Sequence, residues 1–224
     1  MTLSGSAAMV LFYGIEDKAV ADHDHWHTRE HFPERLGVPG FRRASRWVAV
    51  DADPRYLVLY EVEEPSVLSG APYLQRLNNP TPWTTRIMPS FRGMVRGLCA
   101  VTASAGDALG HALASLRYTA RPGAQAGLQQ WLANEVLPAL AAQPGLASAH
   151  LLAPAAQPPM TKEQGIRGKD ADLPLVLLAT GYDAGALARA VAEDFPDAEL
   201  ARHGAQAPLL RGTYRLDLLQ AAPM

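Results

Sequence analysis

The run His23-Asp24-His25-Trp26-His27-Thr28-Arg29-Glu30-His31 places four of the chain's seven histidines within nine positions. Histidine titrates close to neutral pH, at an unperturbed pKa of about 6.5, and its neutral ring also ligates metals. Three uses are open to such a run: acid/base catalysis, a metal site, or a polar helix face turned to water. At 3.6 residues per turn, three positions spaced by four stay within about 40° of one line. His23, His27 and His31 share that line, with Val20 and Glu34 near it and His25 on the far side. Two histidines four apart could chelate one ion, but all three span about 12 Å of helix, too far for one tetrahedral centre. No HExxH pattern accompanies them.

A second stretch, beginning at Trp131, separates these uses. At a constant offset of 105, Trp26 matches Trp131, Glu30 matches Glu135, and Pro33 matches Pro138. Pro39-Gly40 then matches Pro144-Gly145, and Ala44 matches Ala149. Further on, Arg92-Gly93 and Arg96 match Arg211-Gly212 and Arg215 at an offset of 119, the extra length falling in the polar, Pro-rich stretch 153–172. The chain therefore reads as two copies of one unit, 1–105 and 106–224. Each copy has the expected order β-α-β-β-α-β, that is, a ferredoxin-like α+β unit with its helices on one face of an antiparallel sheet. Two such sheets packed against each other within one chain make an α+β barrel, and they explain why YLVLYEV (56–62) and LPLVLL (173–178) lack polar alternation. The stretch 153–172 is expected to be a long loop.

The second copy acts as an internal control. Leu128, Leu132 and Val136 stand where the first copy has His23, His27 and His31, an ordinary core stripe laid against a sheet. The three histidines should accordingly point inward, with Phe32 and Leu36 on the opposite side and His25 at the surface. An inward polar stripe is costly unless it serves a polar cavity. Trp26 and Glu30, shared by both copies, read as scaffold.

Composition sets the class. With 48% apolar and 19% charged residues in 224, the chain can bury a core, and a net charge of −2 gives no reason to expect nucleic acid or an anionic membrane as a partner. Its apolar runs fall short of the roughly 18–20 residues that a membrane-spanning helix needs. The first ten residues do not read as a signal peptide, and one cysteine, Cys99, suits a cytoplasmic location.

The segment WHTREHFPERLGVPGF, from Trp26, resembles the Trp-x4-His-x-Pro helix and Pro-Gly turn of EthD-like members of the dimeric α+β barrel superfamily. The likeness covers the first half and reaches the second through the repeat, where Val136 replaces the motif histidine. It implies a pocket between sheet and helices, with the family histidine at His31. Relatives of that kind include isomerases, polyketide cyclases and cofactor-free monooxygenases, while haem-bearing chlorite dismutases share the architecture.

The expectation is thus a cofactor-independent acid/base enzyme, of isomerase, cyclase or lyase type, acting on a small cyclic or aromatic-derived acid or carbonyl compound. His31 would be the main base or acid, His27 its partner, and His23 an orienting group. The segment 77–89 is expected to rim the pocket as a loop, with Asn78, Asn79, Trp83 and Arg86 holding a carboxylate or carbonyl. Tyr13 and Tyr60 lie on strands bordering the cavity, facing either the helix or the other sheet. Two alternatives stay open: a metal- or haem-dependent oxidoreductase, with a histidine of the cluster as ligand and His150 or His203 as further candidates for a proximal haem ligand, and a non-catalytic ligand-binding barrel. The partner is a small-molecule substrate, and free sheet edges and helices could also form a homodimer.

Overall fold

Residues 3–156, 158–194 and 196–223 are described by a computed structural model. In the first half, β1 (Ala7–Ile15), β2 (Phe41–Asp51), β3 (Tyr56–Val62) and β4 (Phe91–Ala105) pair antiparallel in the order β4-β1-β3-β2. The second half adds β5 (Ala112–Ala120), β6 (Leu146–Pro154), the two-residue β7 (Ala171–Asp172), β8 (Leu175–Gly181) and β9 (Ala205–Ala221). Its long strands repeat the order as β9-β5-β8-β6. β2 then bonds β9 and β4 bonds β6, so the two sheets close into one antiparallel barrel.

The strands are apolar on both faces because each face meets a different core. Val10, Phe12, Trp47, Leu57, Val176 and Leu178 fill the barrel. The alternate residues of β1 and β3, among them Met9, Tyr13, Val58 and Tyr60, face the helices of the first half. Leu116, Leu151 and Leu177 do the same in the second half. The orientation that the sequence leaves open for Tyr13 and Tyr60 is therefore toward the helix.

The long helix of the first half is interrupted. It runs as α1 (Val20–Trp26), a widened π turn over His27–His31, and α2 (Phe32–Leu36). α3 (Ala71–Asn78) and α4 (Pro82–Ile87) complete that layer. The second half repeats the interruption: α5 (Gln125–Trp131), a π turn over Leu132–Val136, and α6 (Leu137–Ala141). In each half a proline stands two residues after the π turn, at Pro33 and Pro138. A proline inside a helix removes one hydrogen bond and its ring crowds the carbonyl four residues back; a π turn spreads the backbone there. The spreading also rotates the remainder of the helix. Phe32 and Leu36, expected on the outer side, are buried in the first-half core.

Two segments expected to be loops contain helices. Within 77–89, Thr81 caps α4 by accepting from the Thr84 amide at 3.0 Å, and Pro82 takes the first helical position. Within 153–172, α7 (Lys162–Arg167) starts in a capping box formed by Thr161 and Gln164, and β7 pairs in parallel with β4. α8 (Ala184–Glu193) and α9 (Asp197–Arg202) finish the second layer. Among the described residues no helix is long and apolar enough to cross a membrane.

The repeated Pro-Gly turns lead from the long helices into β2 and β6. Gly40 and Gly145 hold φ of +90° and +94°, and an added Cβ would meet Val67 Cγ2 and Ala186 Cβ, each at 2.5 Å. Gly40→Ala and Gly145→Ala should each cost about 1–3 kcal/mol, read by denaturant unfolding.

Candidate active site

His23, His27, His31 and Arg35 succeed one another at four-residue steps along the interrupted helix, and all four are buried. Their counterparts Leu128, Leu132, Val136 and Leu140 are buried too, filling the second-half core. A straight helix would end this column at Glu34; the structure continues it to Arg35. The same four-residue step and the leucine at position 140 are the sequence signals that point to it.

The three imidazoles form a ladder, with ring centroids 5.1 Å apart from His23 to His27 and 5.5 Å from His27 to His31. Trp26 lies alongside, its centroid 4.2 Å from His31. The indole N–H of Trp26 donates to Glu30 at 3.1 Å and to Thr84 at 3.2 Å, tying α1 to α4. Glu30 also accepts from Thr81 at 2.5 Å, so it serves as scaffold in the first half.

Each histidine has a different partner. His23 Nδ1 lies 2.9 Å from Asp24 Oδ1, an acceptor, so in the neutral ring Nδ1 carries the proton and Nε2 accepts from the Tyr13 hydroxyl at 3.1 Å. Asp24 is half-buried and also accepts from the Tyr56 hydroxyl at 2.8 Å. His27 Nε2 shares a hydrogen bond of 2.9 Å with the Tyr60 hydroxyl, while its Nδ1 has no partner. His31 Nδ1 makes no hydrogen bond either; the nearest carboxylate oxygen, of Glu34, is 3.9 Å away.

A cavity lies against this ladder. Tyr13 and Tyr60 border it from the sheet, and His27, His31 and Arg35 from the helix, while Glu163 covers it from the second half. Its free volume is about 30 Å³, room for two water molecules at about 10–15 Å³ each. His23 stands behind Tyr13 rather than at the wall. Arg35 is held by Glu163 through Nη2 and lies 3.3 Å from Glu34 through Nη1. Its guanidinium also sits 5.7 Å from the Tyr73 ring centroid. Glu163 and Arg167, which lie inside a stretch expected to be a loop and carry no site signal in the sequence, are thus part of the site.

Asn78, Trp83 and Arg86 do not join it. Because 82–87 is helical, Thr84 and Ile87 turn inward while Trp83 and Arg86 turn toward Asp22 on α1. The Trp83 indole donates to Asp22 at 3.0 Å, and exposed Arg86 pairs with it at 3.4 Å. Asn78 accepts from the Lys162 amide at 3.1 Å, and Asn79 donates to the Gln75 carbonyl at 2.7 Å. All four act as local braces. His25 is exposed and meets only the edge of Trp83.

His27 and His31 border the cavity, whereas His150 and His203 do not face it. His150 is bonded to Ser104 and Ser148, and His203 is stacked on Trp131 at 3.8 Å. Among the described residues no group of three or more His, Cys, Asp or Glu side chains could share a metal ion.

The fold and site together define a ferredoxin-like α+β barrel with a histidine-walled cavity in one of its two halves. No protein-family model matches the sequence, and no curated protein does. Solved structures do match. An anthrone oxidase-like protein superposes with a TM-score of 0.65 at 12% identity, over 100% of this chain and 97% of its own. A candidate monooxygenase from Fusobacterium nucleatum gives 0.63 at 8% identity, over 97% and 95%. A second candidate monooxygenase, from Lactobacillus acidophilus, gives 0.59 at 8%, over 96% of each chain. These likenesses establish the fold, that of the ferredoxin-like α+β barrels.

Burial pushes the pKa values of His27 and His31 well below the ordinary histidine value; any charge on His23 pushes His27 the same way, as the Arg35 guanidinium does His31. His23 is lowered by burial against the opposing pull of Asp24. The folded protein therefore holds these rings neutral, whereas the unfolded chain takes up protons below about pH 6.5. Stability is complete above that pH and is lost as pH falls, by about 1.4 kcal/mol per pH unit for each such histidine. Replacing the column by its second-half counterparts, as His23→Leu, His27→Leu and His31→Val together, should flatten the fall between pH 6.5 and 5. Urea unfolding at a series of pH values measures this.

Proposed function

We propose that the protein is an enzyme that moves a proton on a small, ring-bearing acid or carbonyl compound without requiring a resident cofactor. One observation carries this: His31 is a desolvated imidazole at the wall of the cavity, held neutral by burial, and its ring is tied up in no hydrogen bond. A base is most effective when it is unprotonated at working pH and close to the proton it takes.

In this reading a C–H beside a carbonyl gives its proton to His31. Glu34, facing Nδ1, favours the tautomer protonated there and leaves Nε2 as the base. The electron pair remains as an enolate, and its oxygen accepts a hydrogen bond from the His27–Tyr60 pair. Burial holds the pKa of the Tyr60 hydroxyl well above its ordinary value, so it stays a donor. Tyr13, His23 and Asp24 form a separate line of hydrogen bonds from the cavity wall to a half-buried carboxylate, which holds the Tyr13 side of the wall in place. Return of a proton at a neighbouring carbon completes an isomerisation; loss of a leaving group completes an elimination. The EthD-like likeness around His31 supports this reading.

A second outcome for the same enolate is attack on dioxygen. It is favoured by the names of the structural neighbours, an anthrone oxidase-like protein and two candidate monooxygenases. Proton removal is common to both outcomes, so it is the step to measure. Lactones from ring cleavage, muconates and anthrones, incubated with the protein in D₂O, should show deuterium entering beside the carbonyl by NMR. His31→Gln should slow that entry by about 10²–10⁴-fold. Undiminished exchange in His31→Gln would overturn the proposal.

A further inference from the structure

We infer that Glu163 occupies the place of a ligand carboxylate on Arg35, and that the segment 158–172 leaves the cavity when a planar apolar carboxylate takes that place. The inference rests on the cavity being the substrate site and adds to it the ligand's charged group and the residue that recognises it.

Four observations meet here. Arg35 stands in a column whose counterpart is Leu140, and it is 1% exposed. A guanidinium so placed needs an anion. Glu163 supplies it through a single nitrogen, Nη2, while Nε and Nη1 make no hydrogen bond. A carboxylate entering the cavity can take two guanidinium N–H groups side by side, which a one-point contact does not satisfy. Finally, the free volume of about 30 Å³ admits no ring compound while Glu163 is in place. Much of the remaining wall is apolar or aromatic, with Leu11, Tyr60 and Phe91 among its members and Arg96, Gln164 and Arg167 as polar ones, and its apolar part suits a flat hydrophobic body behind the charged end.

The covering segment is built to move as a piece. Arg167 is forked onto Asp170 at 2.9 and 2.6 Å, and Gln164 donates to Asp170 at 3.2 Å. With the Thr161–Gln164 capping box, these bonds all lie within 161–170. Its charged tie to the rest of the site is Arg35–Glu163; the Lys162 amide on Asn78, Arg167 on Met88 Sδ and the pairing of β7 with β4 are the uncharged ties that part with it. Gly168, at φ +99°, ends α7 where the backbone turns toward β7. Exchange of one carboxylate for another on Arg35 keeps the buried charge balanced, so releasing the segment leaves no bare cation behind.

The probe is benzoate, with benzamide as its uncharged match. Binding is read by calorimetry on the full chain, and opening by the rate of trypsin cleavage within the segment, at Lys162 and Lys169. Wild type should bind benzoate weakly and cleave faster in its presence, with no response to benzamide. Glu163→Gln, which keeps the shape but gives up the charge, should bind benzoate about tenfold tighter and cleave faster without ligand. Arg35→Met in the Glu163→Gln background should abolish benzoate binding, and circular dichroism confirms that each variant is folded. Equal affinity of wild type and Glu163→Gln, or equal binding of benzoate and benzamide, would overturn the inference. So would failure of Glu163→Gln to bind benzoate at all. Benzoate binding through Arg35 with no proton exchange on any substrate would instead defeat the enzymatic proposal alone. Exchange that depends on His31 but ignores Glu163→Gln would defeat only this one.

Discussion

The structure turns on the desolvation of one polar column. Where the second half lays Leu128, Leu132, Val136 and Leu140 against its sheet, the first lays three imidazoles and a guanidinium. Each must recover in hydrogen bonds and ion pairs what it loses in hydration. The recovery is graded along the helix. His23 is satisfied at both nitrogens and His27 at one, while His31 Nδ1 has neither a hydrogen bond nor a close ion pair. Arg35, carrying a full charge, draws in two carboxylates from different parts of the chain, Glu34 and Glu163. The incompletely satisfied groups are those that border the cavity, while the fully satisfied one stands behind it.

Closing the barrel within a single chain is what permits this imbalance. Edge pairing of β2 with β9 and β4 with β6 ties each half to the other at two seams, and the shared interior core is mainly apolar around Phe12, Trp47 and Leu178, with Arg117 lying over the Phe12 ring and Ser45 bonded to Trp47. The two helix-facing cores can therefore be filled differently on one common framework. The second half keeps the π turn and the proline, yet fills its column with hydrocarbon. The π turn is thus a property of the framework that accommodates proline, and the chemistry was placed upon it.

Much of this is legible in the sequence because the repeat supplies its own comparison. The inward face of His23, His27 and His31 follows from the leucines and valine at matching positions, the element order from the repeated β-α-β-β-α-β pattern, and the packing of sheet on sheet from the two-sided apolar strands. Phase and long-range assembly are not legible in the same way. A straight 3.6-residue helix puts Phe32 outside and ends the column at Glu34; the widened turn before Pro33 alters both. The segment 77–89 reads as a loop because Asn, Pro and Thr are abundant, although Thr81-Pro82 is equally a helix start. That Glu163 reaches Arg35, 128 residues earlier, is a tertiary fact with no local trace. Asn78, Trp83 and Arg86 have the right chemistry for a rim and the wrong side of a helix.

The covering segment belongs to the second half and lies over the first. In an assembly of two identical half-length chains, any such flap over one site would be repeated over the other, and both columns would carry the same residues. Here the fused chain carries one histidine column and one flap of 158–172 paired to it. On the proposed reading, that asymmetry allows one occupant per chain. The column's counterpart offers no twin pocket to communicate with it, because Leu132 and Val136 already occupy that ground.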